Sequence, residues 1–215
     1  AVAAVAATLW AGAVLPGRAA RRAGPAVTVR ALLSGGRSRR LLIASLLTGL
    51  ASSVYWTFAV DHVQGDGGLS GLESRLFLAV VGLASIAGVL SAQLIDRFGG
   101  RATFVLALVA EAVALALLGM SPERLATVFA SAVLFGTGYN VAVAVAVIWS
   151  ARVHRARPSG GLAAIMVAQA VGLLAGPPAF GALADRAGFA TAFGAAAAVL
   201  LAATACGPRE RLGSP

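Results

Sequence analysis

Lysine is missing altogether from this 215-residue sequence, and charge of any kind is scarce. Charged residues make up 12%, about half of the roughly 25% that an ordinary soluble domain carries. With 59% hydrophobic residues, the chain cannot cover a surface in water with polar groups. That excludes a soluble domain and points to a membrane protein, in line with a mean hydropathy of +0.88. Aromatics are few, at 7%, and the basic side chains are all arginine, scattered between apolar runs rather than along one face. This argues against nucleic-acid binding despite the net charge of +9. The one cysteine, Cys206, excludes an internal disulfide. No metal-ligand cluster, nucleophile constellation or nucleotide-binding loop is apparent. Neither an enzyme nor a cofactor is expected.

What is present is a series of long apolar runs. A helix needs about 20 such residues to cross the hydrocarbon core. Six runs qualify or nearly do: Leu41 to Val60, Leu76 to Ile95, Ala102 to Met120, Leu125 to Ser150, Gly161 to Ala184 and Phe189 to Cys206. They are continuous rather than alternating, which excludes a strand barrel. The opening stretch, "AVAAVAATLWAGAVLP", lacks an initiator Met and reads as the remainder of a partial seventh helix over 1–16, so the chain is expected to be a fragment. An Arg-rich loop over 17–40 follows, then the six-helix body over 41–206 and a tail over 207–215. The expected fold is an all-α polytopic membrane protein.

Arginine placement sets the orientation, because positively charged loops stay cytoplasmic. Arg18, Arg21, Arg22, Arg30, Arg37, Arg39 and Arg40 precede the first full helix. Arg97 and Arg101, then Arg152, Arg155 and Arg157, and finally Arg209 and Arg211 lie in alternate connections on the same side. Only Arg75, Arg124 and Arg186 fall on the other. The C-terminus is therefore expected on the cytoplasmic face of the cell's inner (plasma) membrane.

Two of these connections echo one another. "QLIDRFGGR", Gln93 to Arg101, and "ALADRAGFA", Ala182 to Ala190, both place Asp-Arg-x-Gly where an apolar run ends. They are three helices apart and so on opposite faces, which is how two inverted three-helix repeats would read. Asp, Arg and Gly are also ordinary helix-stop residues, and a short echo in a chain rich in Arg and Gly also arises by chance.

"AQLIDRFGGR", Ala92 to Arg101, is similar to the loop signature Gly-x-x-x-Asp-Arg-x-Gly-x-Arg of the major facilitator superfamily. Asp96, Arg97, Gly99 and Arg101 match it, and Ala92 replaces the first Gly. In the second copy Gly181, Asp185, Arg186 and Gly188 fit, while the terminal Arg is absent. The resemblance implies half of that fold, with the end of its sixth helix followed by its seventh to twelfth. It further implies a secondary transporter (a permease) moving a small solute by alternating access. The expected partners are that unidentified solute, the lipid bilayer and a missing N-terminal half, with protons as a candidate coupling ion. In the family the Asp-Arg cluster is thought to latch one gating state; a simple turn anchored to headgroups is the alternative.

Polar residues at membrane depth are costly and usually functional. Glu111 lies mid-run on a face with Ala107, Ala110 and Ala114, small residues that let a neighbouring helix approach closely. It therefore points into protein, as a structural hydrogen-bonding group first and a proton-coupling carboxylate second. In the first full helix Ser45, Thr48, Ser52, Tyr55 and Trp56 share a sector of about 100°. The resemblance favours a substrate cavity there, and a helix–helix interface is the alternative. Tyr139 and Asn140 lie mid-membrane, where Gly136 and Gly138 are expected to loosen the helix. Gln169 shares a face with Gly172 and Gly176, and Pro177 and Pro178 should kink the helix beyond them. His62 and His154 are taken as loop residues without a role. Two readings compete with transport: a membrane scaffold or sensor subunit, and the permease subunit of an ATP-driven importer. The latter needs a cytoplasmic docking segment, yet no loop after Arg40 exceeds about a dozen residues.

Overall fold

The computed structural model describes residues 35–208. The partial helix expected over 1–16, most of the Arg-rich loop and most of the tail, with Arg209 and Arg211, lie outside the described residues. Among the described residues seven α-helices follow one another: α1 (Gly36–Gly65), α2 (Gly71–Ala84), α3 (Ser91–Phe98), α4 (Gly100–Met120), α5 (Leu125–Val153), α6 (Pro158–Ala187) and α7 (Phe189–Ala203). A 3₁₀ segment, Ser85–Leu90, joins α2 to α3, and another, Thr204–Cys206, ends α7. Together they make six segments long and apolar enough to cross a membrane, the second running from Gly71 to Phe98. The protein is an all-α polytopic membrane protein.

Several boundaries differ from the apolar runs. α1 begins at Gly36, so Arg37, Arg39 and Arg40 are its first turns rather than loop. Long arginine side chains can lie along apolar surface with their heads in the interface. Arg40 uses this reach to donate to the carbonyls of Ala205 and Gly207, at 2.9 and 3.0 Å, closing the end of the last segment. α1 also continues past Val60 to Gly65, which places His62 inside the helix rather than in a loop. α2 starts five residues before Leu76, at a capping box in which Ser70 accepts from the Glu73 backbone and Glu73 accepts from the Ser70 N–H.

The packing follows a pseudo-twofold pattern. Exchanging the first three segments with the last three leaves the most extensive contacts in place. α1 runs along α6, and its counterpart α5 runs along α2 and the 3₁₀ segment. The pair α4–α5 corresponds to α7–α1, and α4–α7 maps onto itself. The two Asp-Arg-x-Gly turns repeat one backbone geometry. Gly99 has φ 82° and ψ 152°, Gly188 φ 82° and ψ 161°, a region essentially restricted to glycine. Each donates to the carbonyl four residues back, Ile95 or Ala184, at 2.8 Å. Each turn then opens the next helix.

Glycine also sets how closely the segments approach. A Cβ on Gly49 would collide with the Gln169 carbonyl, and one on Gly172 with the Leu46 carbonyl. Gly136 meets the Val81 carbonyl and Gly138 the Ala107 carbonyl. The expectation that Gly136 and Gly138 loosen their helix is therefore corrected: α5 is unbroken, and these glycines admit the neighbouring backbones of α2 and α4. The departure from α-helical geometry occurs instead across the interface, at Ser85–Leu90. α6 likewise stays helical through Pro177 and Pro178.

Candidate functional site

Polar side chains from four segments meet at mid-depth. Ser52 of α1 and Glu111 of α4 are both fully buried. Ser52 Oγ lies 3.1 Å from Glu111 Oε2 and 2.7 Å from the Thr48 carbonyl. One hydroxyl carries one proton. That proton is shared between two acceptors, the Thr48 carbonyl and the Glu111 carboxyl. No charged group is hydrogen-bonded to Glu111 among the described residues, and an unpaired carboxylate in such a site would be costly. Gly138 of α5 packs on the Glu111 backbone, which places the next residue, Tyr139, beside this layer. The Tyr139 hydroxyl accepts from Gln169 Nε2 of α6 at 3.1 Å. Trp56, one turn after Ser52, sets its edge against Phe135 at 5.3 Å and Tyr139 at 5.6 Å, and stays 47% exposed.

Five of the residues singled out in the sequence thus converge: Ser52, Trp56, Glu111, Tyr139 and Gln169. Their accessibility differs. Ser45, Thr48, Ser52 and Tyr55 are buried within this bundle, so the stripe on α1 is a packed interface over most of its length. Tyr55 stacks on Phe135, with ring centres 3.7 Å apart. Its hydroxyl meets Ser131 Oγ at 3.0 Å, and Ser131 donates onward to the Ala114 carbonyl at 2.8 Å. Tyr55 therefore ties α1 to α5 and α4. The open face is formed by Trp56 and the half-buried Tyr139. Asn140 does not join this group: its amide donates to the Gly136 carbonyl of its own helix, and its Cβ lies against Gly88. An apolar groove of about 150 Å³ between α3, α4 and α5, lined by Leu94, Phe98, Leu106 and Val141 among others, holds none of the five.

The signature residues lie elsewhere, at the bundle ends. Asp96, Arg97, Asp185 and Arg186 are all exposed, and Arg97 lies over the Phe98 ring at 5.5 Å. Among the described residues neither Asp96 nor Asp185 makes a hydrogen bond or ion pair. Gly99 and Gly188 supply the left-handed turn residues, and Arg101 is exposed in the first turn of α4. Gly181 faces the Phe58 ring.

Two residues passed over in the sequence have defined positions. His154, at the C-terminal end of α5, bonds Ser38 Oγ at 3.0 Å and the Ser150 carbonyl at 3.2 Å. His62 is 3% exposed and bonds Asp66 and the Leu118 carbonyl. The polar residues around His62 disguised it as loop, whereas His154 does lie in the turn that follows α5.

A sequence model of the Major Facilitator Superfamily matches residues 41–210, nearly the whole described region. Comparison with individually curated proteins gives no match. The match spans all six segments and both Asp-Arg-x-Gly turns, and the chain belongs to the major facilitator superfamily.

Proposed function

We propose that this chain is the C-terminal half of a secondary active transporter that moves a small solute by alternating access, with a second six-helix half completing the cavity. The observation that carries this reading is the Trp56–Tyr139–Gln169 face. Trp56 and Tyr139 sit on the first and fourth segments, which the pseudo-twofold pattern exchanges, and they present an aromatic surface beside an amide at mid-depth. Halves of this kind are themselves built of 3+3 inverted repeats, with solute bound at repeat interfaces near the midplane. The second and fifth segments are the least covered in the bundle, which gives a partner half two related faces to pack on.

In this reading Trp56 and Tyr139 contact the solute, Gln169 orients the Tyr139 hydroxyl, and Asn140 contributes through the shape of its helix. Glu111 is a buried strut between α4 and α1. The Asp96–Arg97 turn acts as a cytoplasmic latch on the other half, a reading supported by the exposure of both side chains and by the lack of a hydrogen-bond or ion-pair partner for Asp96 among the described residues, and Arg101 belongs to the same turn. The Arg-rich bundle end and the C-terminus face the cytoplasm at the inner membrane. Solute uptake or efflux by the full-length protein in proteoliposomes, driven by an imposed proton gradient, tests the reading. Gradient-dependent flux supports it; intact, correctly inserted protein without flux across a solute panel favours the scaffold alternative.

A further inference from the structure

At the bundle end opposite Arg40, the side chain of His62 is enclosed by three helices. Nε2 lies 3.1 Å from the carbonyl of Leu118 in the last turn of α4. An α-helical carbonyl there takes its bond from the residue four positions on, but that residue is Pro122, which has no N–H. The imidazole supplies the missing donor. Nδ1 lies 2.9 Å from Asp66 Oδ2, one turn further along the chain. The Asp66 side chain is 60% exposed, and its carboxyl oxygen accepts from the ring.

Both partners of His62 are therefore acceptors. A neutral imidazole carries one N–H, and this geometry asks for two. His154 provides the contrast within the same chain. Its Nδ1 meets the Ser150 carbonyl, but its Nε2 meets a serine hydroxyl that can donate, so a neutral ring satisfies both contacts. The surroundings of His62 also suit a cation. Phe189 and Phe193 of α7 place their ring centres 5.2 Å from the imidazole centre, within the range of cation–π attraction. The ring sits at the C-terminal ends of α1 and α4, where helix dipoles favour positive charge. Among the described residues α4 and α7 bring to it a carbonyl and two phenyl faces and no titratable group. The other charged groups at this end are Asp61 on α1, Glu73 and Arg75 at the start of α2, Glu123 and Arg124 in the α4–α5 turn, and Asp185 and Arg186 in the α6–α7 turn; all are exposed except the half-buried Glu73, which caps its own helix.

We propose that His62 is a proton-binding site whose bound proton clasps α1 to α4 and α7 at this end of the bundle. With the proton present, the imidazolium donates to Asp66 and to Leu118 together. When it leaves, the ring keeps one N–H, so either the carboxylate or the buried carbonyl loses its donor and the three-helix junction loosens. The junction therefore responds to whether this ring holds its second proton. Any effect on transport rests on the alternating-access reading; occupancy by the proton does not.

The direct test is ¹⁵N spectroscopy of histidine-labelled full-length protein in lipid bilayers, with His62 and His154 assigned by His62→Gln and His154→Gln. At pH 6 both ring nitrogens of His62 should be protonated and only one of His154; at pH 9 His62 should retain one. An unprotonated nitrogen on His62 at pH 6 overturns the proposal. Asp66→Asn, at an exposed position, should weaken proton binding at His62 by about three- to tenfold, and an unchanged titration would count against the clasp. Thermal unfolding in detergent supplies a second readout. The wild-type midpoint should fall as pH rises from 6 to 9, whereas His62→Gln, which keeps a donor for Leu118 but carries no charge, should lose that slope. Equal slopes overturn the clasp. None of these measurements needs a transported solute, so a failure of the transport reading and a failure of the proton site are told apart.

Discussion

Ser52 and Glu111 share a hydrogen bond 3.1 Å long at the centre of the bundle, joining α1 to α4. The two residues stand 59 positions apart, on segments with little other contact. This bond gives the buried carboxyl a structural task and sets a testable limit on any coupling role.

If Glu111 is a strut, Glu111→Gln should be tolerated, since an amide can still bond Ser52. Glu111→Leu should lower thermal stability without moving the pH dependence of transport, and Ser52→Ala should cost about 1 kcal/mol. Detergent melting curves and transport across pH check this. Should Glu111→Gln instead abolish proton-driven transport while sparing downhill exchange, the carboxyl is the coupling group.

The exposed aromatic face makes a different prediction. Trp56→Ala, Tyr139→Phe and Gln169→Ala should weaken solute affinity a few-fold to about tenfold, the range of one aromatic contact or hydrogen bond, with membrane abundance preserved. Tyr55→Phe should reduce stability and leave affinity unchanged, because its hydroxyl is engaged by Ser131. Concentration-dependent flux, paired with melting curves, separates the two sets.

The two matched turns should fail together. Gly99→Ala and Gly188→Ala each force a Cβ into the glycine-only region and should each destabilise by about 1–3 kcal/mol. Gly194→Ala, on an exposed helical face with open space around it, should not. Asp96→Asn in the full-length protein should cut transport sharply at near-normal abundance if the turn is a latch. Parallel loss of protein and activity would reduce it to an anchor.

Sidedness can be read chemically. Single cysteines at Arg37 and Arg155 should label from the cytoplasmic side with an impermeant thiol reagent, and those at Gly71, where a Cβ meets open space, and Arg124 from the opposite side, in a Cys206→Ala background. Labelling of Arg37 and Gly71 from one side would remove the alternation on which the orientation depends.

The apolar runs made the six segments legible because a membrane helix must satisfy its backbone internally and show apolar side chains outward. The ends were less legible. "SGLE" at Ser70 to Glu73 carried a capping-box signal, but that first turn faces water and falls outside an apolar run. His62, between Asp61 and Gln64, resembles loop until α4 is beside it; only then does the proline at position 122 explain why a donor is needed. Ser52 and Glu111 each stood out alone, yet which segments adjoin is a tertiary fact. The glycines of α5 were visible as unusual, and their use depended on a neighbouring backbone that one helix cannot reveal.

The crossing of α1 and α6 has a mechanical consequence. Gly49, Gly172 and Gly176 bring backbone against backbone there, as small residues do where membrane helices pack closely. Helices that mesh through large side chains resist sliding, because each ridge must climb out of its groove. A glycine-lined crossing meshes backbone into backbone instead. A shift of one residue would set a Cβ against a facing carbonyl, so the two 30-residue helices are indexed to one register there.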